Sequence, residues 1–244
     1  MQRYLIELSY NGAVFNGWQR QPNAPSVQQC IEECLSKVHS HREISIVGCG
    51  RTDTGVHANH YVMHVHLPEV DDFDHFLFKM NKVLPEQIAF HSIQSVTDHF
   101  HARFDAKLRT YRYFIHRTKN PFRSTQSWYV PKKLDVAAMN EAATFLLGKQ
   151  DFTSLSKLHT DVKTNICEVS VARWVEMDQD ALYFEIAADR FLRNMVRATV
   201  GTLVDVGLGK IPPSEIPTIL AAKDRQAASV SVPAHGLFLW EVKY

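Results

Sequence analysis

The residues best suited to chemistry lie in one stretch, Gly48-Cys49-Gly50-Arg51-Thr52-Asp53-Thr54-Gly55-Val56-His57. A cation, a carboxylate, two hydroxyls and an imidazole are packed there among three glycines, whose backbones reach turned conformations closed to other residues. Ile44, Ile46 and Val47 lead in as a β-branched run, and Tyr61, Met63 and Val65 lead out in alternation. The stretch is therefore a polar loop between two strands, the setting in which functional residues concentrate. An aspartate beside an arginine stays ionised and can act as a nucleophile, which makes Asp53 next to Arg51 the candidate. The bland alternative is a glycine-rich turn with solvated charges.

Other chemistries find less support. No second carboxylate stands near the loop as a glycosidase pair requires, and there is no Walker A run and no nucleophile elbow. A hydrolase using Asp53 with His57 lacks a recognisable second base or metal partner. Thirteen histidines invite a metal, yet no His-x3-His pair accompanies a carboxylate on a convincing helix and no Cys-x2-Cys pair occurs. His60, His64 and His66 share one strand face and could hold zinc adventitiously, but no metal site is expected. Cys30 and Cys34, one helical turn apart, read as buried thiols, not as a disulfide.

Two further segments suggest a polyanionic partner. Between residues 103 and 123 the cations Arg103, Lys107, Arg109, Arg112, Arg117, Lys119 and Arg123 are opposed in sequence only by Asp105. Phe104, Tyr111, Tyr113 and Phe114 are interleaved with them, a mixture that single-stranded RNA recognition uses for stacking and phosphate contact. Residues 189–206 read as a helix with an apolar arc (Phe191, Leu192, Met195, Val196, Thr199, Val200, Leu203). Arg190, Arg193, Asn194 and Arg197 lie opposite, with Gly201 continuing that polar side. A half-exposed basic strand and solvated arginines are the plain alternatives. The net charge of +1 neither demands nor excludes nucleic acid.

The elements that must position these residues follow from periodicity. Strands are predicted at 3–9, 43–48, 60–67 and 88–96, with helices near 26–38 and 74–83. Ser26 and Gln29 suggest a capping box for the first helix, and acidic residues precede the second. Trp18, Gln19 and Arg20 look like exposed residues of a loop. The order β-α-β-β-α-β is a ferredoxin-like unit. Strands at 106–116, 165–176, 181–188 and 235–244 and a helix at 135–147 make the second half a diverged copy. The expected architecture is α+β: two pseudo-symmetric ferredoxin-like halves, 1–102 and 103–244, sharing a largely antiparallel mixed sheet with a positively charged cleft between them. An ordinary apolar content of 45%, no bilayer-length apolar run and a glutamate at position 7 point to a cytoplasmic globular protein.

The loop closely resembles the signature of the tRNA pseudouridine synthase A family, as Gly48-x-Gly50-Arg51-Thr52-Asp53-x-Gly55-Val56-His57-Ala58. Further motifs stand in the family's order: Tyr10-x-Gly12-x-x-Phe15-x-Gly17-Trp18-Gln19-x-Gln21, Phe100-His101-Ala102-Arg103-Phe104-x-Ala106, Arg109-x-Tyr111-x-Tyr113 and Phe191-Leu192-x-x-Met195-Val196-Arg197. The ending His235-Gly236-Leu237-x-Leu239 also fits. The resemblance implies an isomerase converting uridine to pseudouridine at positions 38, 39 and 40 of the tRNA anticodon arm. It implies Asp53 as nucleophile, Tyr111 against the uracil, Arg197 paired with the aspartate and Arg51 reaching toward RNA. It further implies no cofactor and a homodimer as the assembly that receives tRNA. A non-catalytic tRNA- or RNA-binding module is the alternative. Cys49, Thr54 and Asp105, with Asp189-Arg190, depart from the residues usual in the family.

Overall fold

Alternation decides the first strand. In β1 (Gln2–Tyr10) the side chains of Tyr4, Ile6, Leu8 and Tyr10 are buried, while Arg3, Glu7 and Ser9 on the other face stay partly exposed. Helix α1 (Val27–Val38) begins where Ser26 Oγ accepts the Gln29 amide at 3.3 Å, and it buries Val27, Ile31, Cys34 and Leu35. Only half of the expected capping box forms, because the Gln29 side chain turns to Glu33 at 2.8 Å. Strand β2 (Ile46–Gly48) runs antiparallel to β3 (His57–Leu67). Helix α2 (Phe73–Val83) is capped by Asp72, whose carboxylate accepts the His75 amide at 2.9 Å, and is followed by β4 (Ile88–Ser95). The resulting order β4-β1-β3-β2, all antiparallel, is the ferredoxin-like arrangement that the element order predicts.

The computed structural model describes residues 1–157 and 164–244. By compactness the chain divides into Met1–Lys107 with Phe238–Tyr244, and Leu108–Leu237. The second unit contains β5 (Leu108–His116), β6 (Trp128–Tyr129), α3 (Val136–Thr144), β7 (Gly148–Asp151), β8 (Ile166–Glu176), β9 (Ala181–Ala188), α4 (Met195–Gly207) and α5 (Glu215–Ala222). Its strands run β5-β9-β8-β7 with antiparallel neighbours, and the succession β5-α3-β8-β9-α4 repeats that of the first unit. The last strand, β10 (Leu237–Lys243), lies parallel to β3, with Phe238 opposite His57 and Leu239 opposite Ala58. The α+β class and largely antiparallel pairing match the expectation; β6, β7 and α5 were not foreseen. No helix among the described residues is long and apolar enough to cross a membrane.

One predicted element changes. Helix α4 starts at Met195, not at 189, because Asn194 adopts a left-handed φ of 65° and its side chain donates to Ser231 Oγ at 2.5 Å. Arg190 and Arg193 thus precede the helix, and no arginine-faced side of it exists. The helix is buried nearly all round; Thr199 and Thr202 satisfy their hydroxyls on the carbonyls one turn back, both at 2.9 Å. Gly201 has a packing reason: a β-carbon there would run into the Val230 carbonyl oxygen.

Candidate active site

The loop carrying Asp53 is held by its neighbours in the first unit. The indole of Trp18 stacks on Tyr61 at 4.0 Å, and Tyr10 packs against both rings. Trp18 is 2% exposed, correcting the expectation of an exposed tryptophan. Gly48 has to be glycine because a β-carbon would overlap the Tyr61 hydroxyl and meet the Trp18 ring at 2.7 Å. That hydroxyl donates to the Gly50 carbonyl at 2.5 Å, and the buried Cys49 amide donates to Val62 O at 2.8 Å.

Beyond Gly50 the loop alternates between anchors and presented groups. Thr52 is buried: its hydroxyl meets Tyr10 Oη at 2.9 Å and its carbonyl accepts the Trp18 amide at 3.2 Å. Val56 is buried too, and its amide closes a turn on the Asp53 carbonyl at 3.1 Å. Gly55 completes that turn with φ of 77°, a conformation side chains disfavour. Between the anchors, Asp53 is half-buried and Arg51 and Thr54 are exposed. The fixed backbone therefore presents the Asp53 carboxylate on a short, pinned turn. Residues of the 10–18 motif build this support, which explains why two separated sequence motifs serve one loop.

His57 has a structural part. It is fully buried, its Nδ1 accepts the Gly12 amide at 3.1 Å and its ring stacks on Phe238 at 4.5 Å. The three strand histidines are likewise occupied individually: His60 Nδ1 accepts the Val242 amide, His64 Nδ1 the Ala102 amide and His66 Nε2 the Arg3 Nε–H. Among the described residues no group of His, Cys, Asp or Glu could hold a metal ion. Burial, with Arg3, His66 and His101 nearby, pushes the His64 imidazole down to about 4.

In the second unit Tyr111 and Arg197 come from β5 and α4. Tyr113 and Ile115 on the same face of β5 are fully buried. Tyr111 is half-buried, edge-on to Phe191 at 4.9 Å. Tyr113 donates its hydroxyl to Pro233 O at 2.8 Å; burial pushes its phenol up, and the nearby Arg197 guanidinium partly opposes that shift. Arg197 Nε donates to Val232 O at 2.7 Å, and the Val232 amide returns a bond to Arg197 O at 3.2 Å. This exchange fixes the arginine stem beside the 230–232 segment for which Gly201 makes room. Nothing in the sequence pattern announces Val232, since it acts through its backbone.

The basic tract is less free than its sequence implies. Arg112 pairs with Glu185 at 2.7 Å, Arg117 with Glu176 at 3.2 Å and Arg123 with Asp178 at 3.4 Å, all from β8, β9 and their hairpin. Glu185 also takes Arg173 at 2.6 Å. Burial alone would raise its carboxyl, but the hydrogen bonds from Arg173 and Arg112 outweigh it and hold the group below its usual range. The acids missing from residues 103–123 are thus supplied by other strands.

Comparison with known proteins agrees with this architecture. The family model for tRNA pseudouridine synthase matches residues 8–105 and 142–244. A tRNA pseudouridine synthase A of Parabacteroides distasonis is 48% identical, covering 100% of this chain and 96% of that protein. The enzyme so named from Porphyromonas gingivalis is 47% identical over 100% and 98% of the two chains, and that of Bacillus subtilis 40% over 99% of each. The chain belongs to the tRNA pseudouridine synthase family, isomerases that convert uridine to pseudouridine in tRNA.

Proposed function

We propose that this chain is an isomerase converting uridine to pseudouridine at positions 38, 39 and 40 of the tRNA anticodon arm, with Asp53 as the nucleophile. The observation that carries the assignment is the loop itself, where a half-buried carboxylate stands between the buried anchors Thr52 and Val56 on a turn with little freedom. A stacked base must leave the helix before a carboxylate can reach it. Arg51, exposed beside Asp53, is positioned to contact RNA around the displaced nucleotide. Tyr111 takes the place against the uracil, replacing lost stacking, and Arg197 is the cation assigned to the catalytic carboxylate. The reaction breaks the N1–C1′ glycosidic bond and joins the same sugar carbon to C5, while C5 loses its proton and N1 takes one up. No net oxidation occurs, so the balance requires no redox carrier. The working assembly is a homodimer, which light scattering at micromolar concentration checks; a monomer would count against it.

The deciding experiment incubates the protein with unmodified tRNA carrying uridines at 38–40 and maps pseudouridine by carbodiimide modification. The wild type forms pseudouridine without added cofactor and in the presence of chelator. Asp53→Asn and Asp53→Ala bind tRNA but do not turn it over. Turnover retained by Asp53→Ala would remove Asp53 from the mechanism. Binding without turnover by the wild type would favour the non-catalytic RNA-binding module.

A further inference from the structure

The sheet of the first unit has one face under the buried side chains of Tyr4, Ile6 and Leu8 and another carrying Arg3, Leu5 and Glu7. Residues 96–105 cross that second face and are pinned to it. The Val96 amide donates to Arg3 O at 3.0 Å, Arg3 Nη1 to Phe100 O at 2.7 Å, the Ala102 amide to His64 Nδ1 at 3.0 Å and the Tyr244 hydroxyl to Ala102 O at 2.6 Å. The segment ends in a tight turn closed twice between His101 and Asp105: the Asp105 amide donates to His101 O at 3.0 Å, and the His101 amide to Asp105 Oδ2 at 2.8 Å. The His101 ring is fixed as well, since its Nδ1 accepts the amides of Arg103 and Phe104 at 3.1 and 3.3 Å.

On this rigid turn stands an aromatic ring with no core to fill. Phe104 is 73% exposed. Its ring lies 4.2 Å from that of His101, tilted by 33°, and His101 in turn sets its edge against the buried His64 ring at 5.0 Å. The Arg103 guanidinium is 5.7 Å from the Phe104 centroid. An exposed ring on a tied turn, with an imidazole at 4.2 Å and a guanidinium over it at 5.7 Å, has the makings of a nucleobase platform, because a base and a cation can share one aromatic ring. The residues on either side of Phe104 in the chain, Arg103 and Asp105, are charged, so no apolar stretch continues along the turn. A protein interface needs about 800 Å² per partner around an apolar centre, which this turn does not offer.

We propose that Phe104, backed by His101 and flanked by Arg103, is a stacking subsite for an unpaired base of the RNA substrate, separate from the loop that carries Asp53. The separation follows from β3, where His57 closes the catalytic loop and His64 underlies the platform. Seven residues at ~3.3 Å each set these two positions about 23 Å apart along the strand. The base on Phe104 is therefore a different nucleotide from the one isomerised. The subsite rests on the reading of the chain as a tRNA-acting enzyme.

The test is equilibrium binding of unmodified tRNA to the full-length wild type and to Phe104→Ala, Phe104→Leu and Phe104→Trp, with single-turnover kinetics beside it. Loss of one stacked base weakens binding about tenfold in the alanine and leucine variants, and tryptophan restores it. The loss falls on KM and not on the rate at saturating tRNA. The slope of affinity against salt stays that of the wild type, because no phosphate contact is removed. Alanine or leucine variants binding as tightly as wild type would overturn the proposal, as would a change of oligomeric state in Phe104→Ala by light scattering, which would assign the ring to a second copy of the chain. Failure of the wild type to bind tRNA would instead overturn the function on which the subsite rests, so the two failures are distinct.

Discussion

His64 shows how a single side chain couples stability to pH. It is 6% exposed, and its Nδ1 must keep a lone pair to accept the Ala102 amide. Its ionisation is displaced from 6.5 to about 4 by burial first, then by His101, Arg3 and His66. The unfolded chain takes up this proton before the folded one does. Stability is therefore complete above about pH 6.5 and falls as the pH drops toward 4, by about 3 kcal/mol in all. Urea denaturation at pH 7.5 and 4.5 should show the loss. His64→Gln, which can still accept the amide bond but does not titrate, should shrink it. An unchanged pH dependence in that variant would assign the effect to other groups.

Among the elements, the loop that carries Asp53 and α4 each depend on a glycine for a different kind of close approach. At Gly48 the obstruction is two packed aromatic side chains, whereas at Gly50 a β-carbon would meet nothing within 4 Å. Gly48→Ala should therefore destabilise by about 1–3 kcal/mol through overpacking, and Gly50→Ala should fall within about 0.5 kcal/mol of wild type in chemical denaturation. In α4, alanine at 201 would gain about 1 kcal/mol of helix propensity. The Val230 carbonyl stands in its way, so Gly201→Ala should nevertheless lower the melting temperature by several degrees. It should also disturb the Val232–Arg197 exchange and with it turnover.

For the whole molecule, charge has to be counted after folding. Seven cations between residues 103 and 123 suggest a continuous phosphate-binding stripe. Ion pairs with Glu176, Asp178 and Glu185 tie three of them to the second unit's own sheet. The more exposed pairs, Arg117–Glu176 and Arg123–Asp178, contribute little to stability, whereas Glu185 is buried; all three lower the charge offered to a polyanion. Arg117→Gln and Arg123→Gln should leave the salt dependence of tRNA affinity almost unchanged. A true phosphate contact removed should reduce the slope by about 1. A reduction of that size in either variant would show that RNA displaces the internal acid.

What the sequence determined by itself was local: the alternation of β1, the capped helices α1 and α2, the β-α-β-β-α-β order and the loop bearing Asp53 and Arg51. These are legible because period, capping and turn chemistry act over a few residues. Tertiary structure decided the rest. It buried Trp18 beneath the loop, began α4 at Met195 because Asn194 is tied to Ser231, and supplied the basic tract with acids from β8, β9 and their hairpin. It also gave Gly48 and Gly201 reasons that lie in residues far along the chain. Such contacts depend on which distant groups arrive at the same place, and composition and periodicity carry no record of that. The loop could be found from its own residues; what holds it still could be found only in the fold.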